Sequence, residues 1–324
     1  MCLASKKNNL IPGSLRKFTI DFGLPLLLVM MMPSSFNKDN NYAFGSSNFN
    51  FAAAGDFGCN DNTKDTIENI VDKDPELVLG LGDYSYTTTI ACWLDIIEPI
   101  DNKNFKISIG NHETPTPPNS KTSLSYYEYD KLMKHFNLTR QYYSFDYENV
   151  HFLAMSTELE GAGELNAQYD FVNRDLSNAS RNLEIDWIIV FLHKPLYSLP
   201  TKSFDQEETR SLREVYNPLF RKYNVDLVLQ GHNHNYQRIE NGELNRNLSE
   251  AERPTTFAVV GTAGAPIYDF VDQENMPSYV KAKYEGFGFL NVEVIGEKML
   301  EGKFYSNSGD NVEDLFTIQR ERVK

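Results

Sequence analysis

Residues 77–86 read L-V-L-G-L-G-D-Y-S-Y. Leu77–Leu81 is a short apolar run of the buried-strand type, and Gly82 ends it. The carboxylate of Asp83 and the phenol of Tyr86 follow at once. Side chains able to hold a metal thus stand where a strand gives way to a loop. The arrangement recurs along the chain. G-D-F-G (Gly55–Gly58) follows an expected strand at Phe49–Ala54, and G-N-H-E (Gly110–Glu113) follows one at Phe105–Ile109. V-F-L-H (Val190–His193) closes one at Asp186–Leu192, and G-H-N-H (Gly231–His234) follows one at Asp226–Gln230. In an α/β sheet, loops at the carboxyl ends of strands converge on a crevice. A glycine before each donor lets the backbone turn sharply and approach an ion closely. Carboxylate, imidazole, amide oxygen and phenolate together suit iron, manganese or zinc. Two such ions, about 3.5–4 Å apart and bridged by a carboxylate, make a phosphoryl-transfer site. Each motif alone has many structural uses; the ordered set of five is specific.

Four of the six histidines fall in these motifs: His112, His193, His232 and His234. His135, on a helix face, and His151, inside a strand, read as structural. Apolar runs alternate with amphipathic stretches, the pattern of an α/β layered fold. The spacing predicts helices over Thr63–Val71, Ala91–Ile97 (ending before Pro99), Tyr126–Phe136, Ala167–Leu176 and Arg210–Tyr223. A hairpin is expected at Tyr142–Tyr147 and Val150–Ser156, turning at Glu148-Asn149. Strands at 255–260, 287–295 and 299–306 lack intervening helices and suggest the second sheet of a sandwich. Gly261-Thr262-Ala263-Gly264 reads as a tight loop after a strand, a plain turn in preference to a lining of the cleft. The reading divides the chain into an N-terminal segment 1–33, a Ser/Asn-rich linker 34–47, a catalytic domain 48–306 and a C-terminal tail 307–324.

The formal net charge of −14 disfavours nucleic-acid partners, so none is expected. It also repels phosphate esters, so a site for them must make its positive field locally, as bound cations do. The cysteines are Cys2, Cys59 and Cys92, without a C-x-x-C pair, which argues against a thiolate zinc cluster. Cys59 and Cys92 carry two readings, a disulfide in an exported chain or two buried thiols. Lys6, Lys7, Arg16 and Lys17 precede the apolar run F-G-L-P-L-L-L-V-M-M-M at 22–32. This fits a signal-peptide core better than a membrane span, and predicts a secreted or extracytoplasmic protein. A retained membrane anchor, the one expected membrane contact, and a disordered tail are the alternatives.

The ordered set D-x-G, G-D-x-x-Y, G-N-H-[D/E], V-x-x-H, G-H-x-H resembles the signature of the purple acid phosphatases, within the calcineurin-like metallophosphoesterases. Y-S-F-D-Y-E-N-V-H-F-L at 143–153, Q-Y-D-F-V at 168–172 and H-K-P-L-Y at 193–197 look similar too. Tyr86 narrows the resemblance, because the wider superfamily generally lacks the tyrosine; Tyr84 is at the wrong spacing. The resemblance implies a four-layer α/β/β/α sandwich with a dinuclear site at one edge. Asp56, Asp83, Tyr86 and His234 would hold Fe(III), and Asp83, Asn111, His193 and His232 a divalent Fe, Zn or Mn, with Asp83 bridging. It implies hydrolysis of a small phosphate monoester by a metal-bound hydroxide, with Asp83 and His112 as the catalytic pair and Asn111 and His112 at the substrate. Glu113 is expected to support His112 or the fold.

One departure bears on substrate. Family members carry histidines roughly nine or ten residues after the fourth motif, where this chain has S-L-P-T-K-S-F-D at 198–205. Lys202 falls near that place, either as a phosphate contact or as a solvated surface lysine. The rival functions are a Mn- or Zn-dependent phosphodiesterase or nucleotide pyrophosphatase, a non-catalytic binding protein on the same fold, and peroxide-driven redox chemistry at the iron.

Overall fold

The computed structural model describes residues 48–101, 104–115, 121–201, 210–240, 254–271, 276–308 and 311–320. The N-terminal segment 1–33, the linker 34–47 and Lys202 lie outside them.

Strands β1 (Asn48–Ala54), β2 (Leu77–Gly80) and β3 (Phe105–Ile107) run parallel as one half of a six-stranded sheet. β4 (Tyr143–Tyr147) and β5 (Val150–Ala154) form the expected hairpin. They open a second, seven-stranded sheet that continues through β6 (Trp187–Phe191) and β7 (Leu227–Gln230). β8 (Tyr236–Glu240), β9 (Thr256–Val260) and β10 (Val280–Tyr284) complete it in the order β10-β8-β9-β7-β6-β5-β4. β11 (Gly288–Ile295), β12 (Met299–Ser306) and β13 (Val312–Gln319) then return to the first sheet, in the order β13-β12-β11-β1-β2-β3. The late strands thus do not form one sheet of their own, as the sequence suggested. They extend both sheets: β9 pairs parallel with β7, while β8 beside it and β11 beside β1 run antiparallel. The expected tail 307–324 likewise contains a paired strand, β13.

The two sheets pack face to face. Phe51, Ala53 and Leu79 of the first meet Phe152, Ile189, Phe191 and Leu229 of the second in one buried cluster. The opposite side of β1, at Ala52 and Ala54, packs under α1 (Asp61–Asp72), α2 (Ala91–Asp101) and α3 (Tyr126–His135). On the far side α4 (Ala162–Ala179) and α5 (Arg210–Lys222) cover the second sheet through Val172, Leu176, Leu219 and Phe220. The result is the four-layer α/β/β/α sandwich. Asn60 caps α1, its side chain accepting from Thr63 N at 3.1 Å, and Ser125 caps α3 in the same way. Helix α2 runs through Pro99 rather than stopping before it. Pro99 falls in the last turn, where its missing N–H forfeits one bond, to the carbonyl of Asp95, close to the helix end. Cys59, just before α1, is joined by a disulfide to Cys92 in the first turn of α2, with Cα atoms 5.9 Å apart. Among the described residues no helix is long and apolar enough to cross a membrane.

Candidate active site

The five motif loops meet at one end of the sandwich. Asp56, Asp83 and Tyr86, and Asn111 follow β1, β2 and β3 of the first sheet. His193 follows β6, and His232 and His234 follow β7, of the second. The loops are stitched side by side: Asp56 N–H donates to Gly82 O at 3.0 Å, Phe57 N–H to Asp83 O at 2.9 Å, and Gly231 N–H to His193 O at 2.8 Å. Asp56, Asp83, Tyr86 and His232 all have positive φ, at 59°, 56°, 51° and 67°. Backbone of this kind costs about 1–3 kcal/mol per residue and persists where the surroundings enforce it, as at functional sites. Gly82, with φ of 87°, leaves room for the His193 ring; a Cβ there would stand 2.6 Å from His193 Nδ1.

The side chains converge as two overlapping groups. In one, the Tyr86 hydroxyl lies 2.7 Å from His234 Nε2, 3.1 Å from Asp56 Oδ1 and 3.4 Å from Asp83 Oδ2. In the other, His193 Nε2 lies 3.1 Å from each of Asp83 Oδ2, Asn111 Oδ1 and His232 Nδ1. Asp83 Oδ2 belongs to both. Asp83, His193 and His232 have ligand atoms within 4.8 Å of one another, close enough to share an ion. The outer ring nitrogens are already engaged: His193 Nδ1 with Leu81 O at 2.8 Å and His234 Nδ1 with Pro266 O at 2.7 Å. These carbonyls fix the tautomer and aim each Nε2 lone pair inward. Lone pairs then face lone pairs with few hydrogens between them, which is what a cation neutralises. The donor set fits borderline metals such as iron and zinc.

The electrostatics agree. Burial opposes a proton on His193, yet the charge and hydrogen bond of Asp83, backed by Asp56 and Glu158, push it up to about 10. Burial alone would raise Asp83; the charge and hydrogen bond of His193, then His112, outweigh it and hold Asp83 well below the usual carboxylate range. Burial and the neighbouring His193 charge push His232 down to about 2. Burial would lower His234, but the hydrogen bond and charge of Asp56 raise it. Burial, then Asp56 and Asp83, lifts the Tyr86 phenol well above its ordinary value. Each of these shifts comes from charges crowded into one buried pocket, an imbalance that cations would relieve.

His112 stands at the rim, its Nε2 3.8 Å from Asp83 Oδ2 and its ring 4.2 Å from that of Tyr86. Its Nδ1 is 2.5 Å from Thr122 O, which fixes the ring. Glu113 is fully buried and accepts from Asp83 N and Tyr84 N at 2.8 Å and from Gly110 N at 2.9 Å. It ties the Asp83 loop to the Asn111 loop. Tyr84 points away, its hydroxyl donating to Ser108 O at 2.7 Å in the core. His151 and His135 lie in contacts with aspartates elsewhere.

Two further supports stand beside these side chains, and the first escaped the sequence. Tyr268 stacks on His234, with centroids 4.0 Å apart and planes 16° from parallel. The loop 261–264 is more than the plain turn expected: Ala263 N–H and, just beyond it, Ala265 N–H donate to Gly55 O and Asp56 O at 3.0 and 2.9 Å. The Tyr268 stack has no local signal, and the glycines of 261–264 show a tight loop without showing which backbone it meets.

A profile of the calcineurin-like phosphoesterases matches residues 49–236. Purple acid phosphatase 22 of Arabidopsis thaliana is 32% identical over 199 residues, covering 59% of this chain and 45% of the relative. Probable inactive purple acid phosphatase 9 of the same plant is 27% identical over 295 residues, covering 78% and 44%. The chain thus spans about half the length of the curated relatives it matches. In fold it resembles the purple acid phosphatase PPD1 from yellow lupin seeds, with a TM-score of 0.69 at 24% identity, over 87% of this chain and 55% of that one. With the match over residues 49–236, the chain belongs to the calcineurin-like phosphoesterase family, and within it resembles the purple acid phosphatases.

Proposed function

We propose that this chain is an acid phosphatase hydrolysing phosphate monoesters at a dinuclear centre that pairs Fe(III) with Fe, Zn or Mn. The observation that carries the reading is Asp83 Oδ2, set between the Tyr86 hydroxyl at 3.4 Å and His193 Nε2 at 3.1 Å. Asp56, Asp83, Tyr86 and His234 would hold the trivalent ion, and Asp83, Asn111, His193 and His232 the divalent one. When bound, the ions would supply Lewis acidity, polarising the ester and acidifying a water for in-line attack.

The chain's own residues do the rest. Asp83 keeps the two halves of the site in register. His112, fixed through Thr122 O, presents Nε2 toward the cleft, where it would contact a phosphate oxygen or protonate the departing alcohol. Asn111 would touch substrate beside it. Glu113 sets the spacing of the Asp83 and Asn111 loops. The Cys59–Cys92 disulfide supports the secreted or extracytoplasmic location expected from residues 22–32.

The test is metal content and turnover of the protein loaded with iron and zinc, with an aryl phosphate monoester compared against a diester from acid to neutral pH. Two ions per chain and preferential monoester turnover at acid pH are expected. Diester turnover with manganese alone would move the chain to the phosphodiesterase reading. Full metal loading without turnover would make it a binding protein.

A further inference from the structure

Lys194 directly follows His193, and its ammonium lies 3.4 Å from Glu158 Oε2. The Lys194 side chain is 19% exposed and that of Glu158 only 7%. β5 and β6 run parallel with Ala154 opposite Phe191, and Met155 N–H donates to Phe191 O at 3.0 Å. The segments leaving these strands therefore depart side by side at the end of the sheet where the metal-ligand residues gather. They are also tied together. Lys194 N–H donates to Thr157 Oγ1 at 3.1 Å, and the Thr157 hydroxyl donates to Glu158 Oε1 at 2.8 Å. Both charges reach the site: that of Lys194 helps to depress His232, and that of Glu158 helps to raise His193.

Neither residue belongs to the seven-residue ligand set. A largely desolvated ion pair is also a poor way to stabilise a fold, because desolvation offsets much of the attraction. With a net charge of −14, the protein repels a phosphate dianion at long range. A lysine ammonium one residue from His193, at the end of the sheet where the candidate ligands gather, counters that repulsion where it matters, and Glu158 balances its charge until an oxyanion binds.

We propose that Lys194 is a phosphate-binding residue of the active site, kept in place by Glu158 until a tetrahedral oxyanion arrives and takes over its ammonium. This rests on the phosphatase reading and deepens it, placing an oxyanion contact on the His193–His232 side. Lysine suits the task, as a point charge on a flexible stem with three rotatable donors. The ammonium turns from carboxylate to phosphate without moving the backbone. Substrate and transition state both carry the phosphoryl charge, so the contact is uniform and acts on KM rather than kcat.

The two partners predict opposite signs. Lys194→Met keeps the stem and loses the charge, and should weaken phosphate binding about tenfold or more. Glu158→Gln keeps the shape and removes the competitor, and should tighten it about threefold. The experiment is calorimetric titration of inorganic phosphate into the iron–zinc protein, for wild type, both variants and Lys194→Arg, with KM and kcat on an aryl phosphate alongside. Lys194→Arg should retain most of the affinity, and KM should follow phosphate affinity at nearly constant kcat. Unchanged affinity in Lys194→Met, or weaker binding in Glu158→Gln, overturns the proposal. A wild-type protein that holds both metals but binds no phosphate overturns the phosphatase reading and this one with it. If Lys194→Met does not fold, the sign of the Glu158→Gln change decides.

Discussion

The Tyr86 hydroxyl lies 2.7 Å from Nε2 of His234, and the other nitrogen of that ring faces Pro266 O at 2.7 Å. With the neutral ring's hydrogen on Nδ1, the phenol is the donor. Burial, Asp56 and Asp83 keep its proton in place while the site is metal-free. A ferric ion must displace that proton to bind the phenolate. Loading Fe(III) should therefore release one more proton per chain from wild type than from Tyr86→Phe, read by pH-stat. The wild type should also show a broad purple charge-transfer band that the variant lacks. Equal proton release with the band intact in the variant removes Tyr86 from the ligand set.

Asp83 carries more of the site than any other residue, because its Oδ2 is shared between both groups. Asp83→Asn removes the charge that would bridge two cations. It should cut kcat by at least about a hundredfold and lower metal content below two ions per chain. Elemental analysis beside turnover checks both, and full hydrolysis in the variant would sink the proposed site.

Gly82 precedes Asp83 with φ of 87°, and a Cβ on it would press within 2.6 Å of His193 Nδ1. Gly82→Ala combines an unfavourable backbone region with displacement of the His193 ring. It should cost about 2 kcal/mol of stability or more. Activity should fall further than the loss of folded protein explains. Circular dichroism melts with turnover per folded molecule separate the two effects.

His151 sits between two carboxylates, its Nδ1 2.6 Å from Asp146 Oδ1 and its Nε2 2.8 Å from Asp175 Oδ2. Burial would lower its pKa, but the hydrogen bonds and charges of Asp175 and then Asp146 raise it above 6.5. The folded value exceeds the unfolded one, so the native state binds the extra proton. That stabilisation is complete below about pH 6.5 and disappears as pH rises through the raised folded value. Thermal melts of wild type and His151→Asn across this range should differ most on the acid side and approach each other on the alkaline side. A gap that widens with pH contradicts the assignment.

The fold was readable where a strand is apolar on both faces. β1, β2, β6 and β7 are such strands, and all were placed within a few residues. β8 (Y-Q-R-I-E) was missed because its polar side chains are buried by distant partners: Gln237 accepts from Leu199 N at 2.6 Å, and Arg238 pairs with Asp314 at 2.7 Å. β13 was missed for a related reason. It is an edge strand whose outer side chains are largely polar or exposed, so its composition reads as a tail. The candidate ligands were legible because each stands right after a strand. The fan of N–H groups on Glu113, the Tyr268 stack and the Lys194–Glu158 pair were not, since they depend on which loops become neighbours.

The Cys59–Cys92 disulfide joins residues 33 apart and fastens the start of α1 to the start of α2. By loop-closure entropy it contributes about 4 kcal/mol. A Cys59→Ser, Cys92→Ser double variant should lose most of that in denaturant melts, with a steeper slope because the uncrosslinked denatured chain is more expanded. A loss below about 1 kcal/mol would show that the crosslink contributes little to stability.

The candidate ligand loops come from both sheets: Asp56, Asp83, Tyr86 and Asn111 from one, His193, His232 and His234 from the other. Each sheet behaves as a stiff plate, and the apolar layer between them is an adhesive without direction. It resists separation well, and resists sliding only as far as its side chains interlock. Ions seated among ligands from both plates would act as rivets at one end. A slip of one residue along a strand, about 3.3 Å, would shear every cross-plate bond at once. The centre proposed for chemistry would thus also set the alignment of the two halves of the molecule.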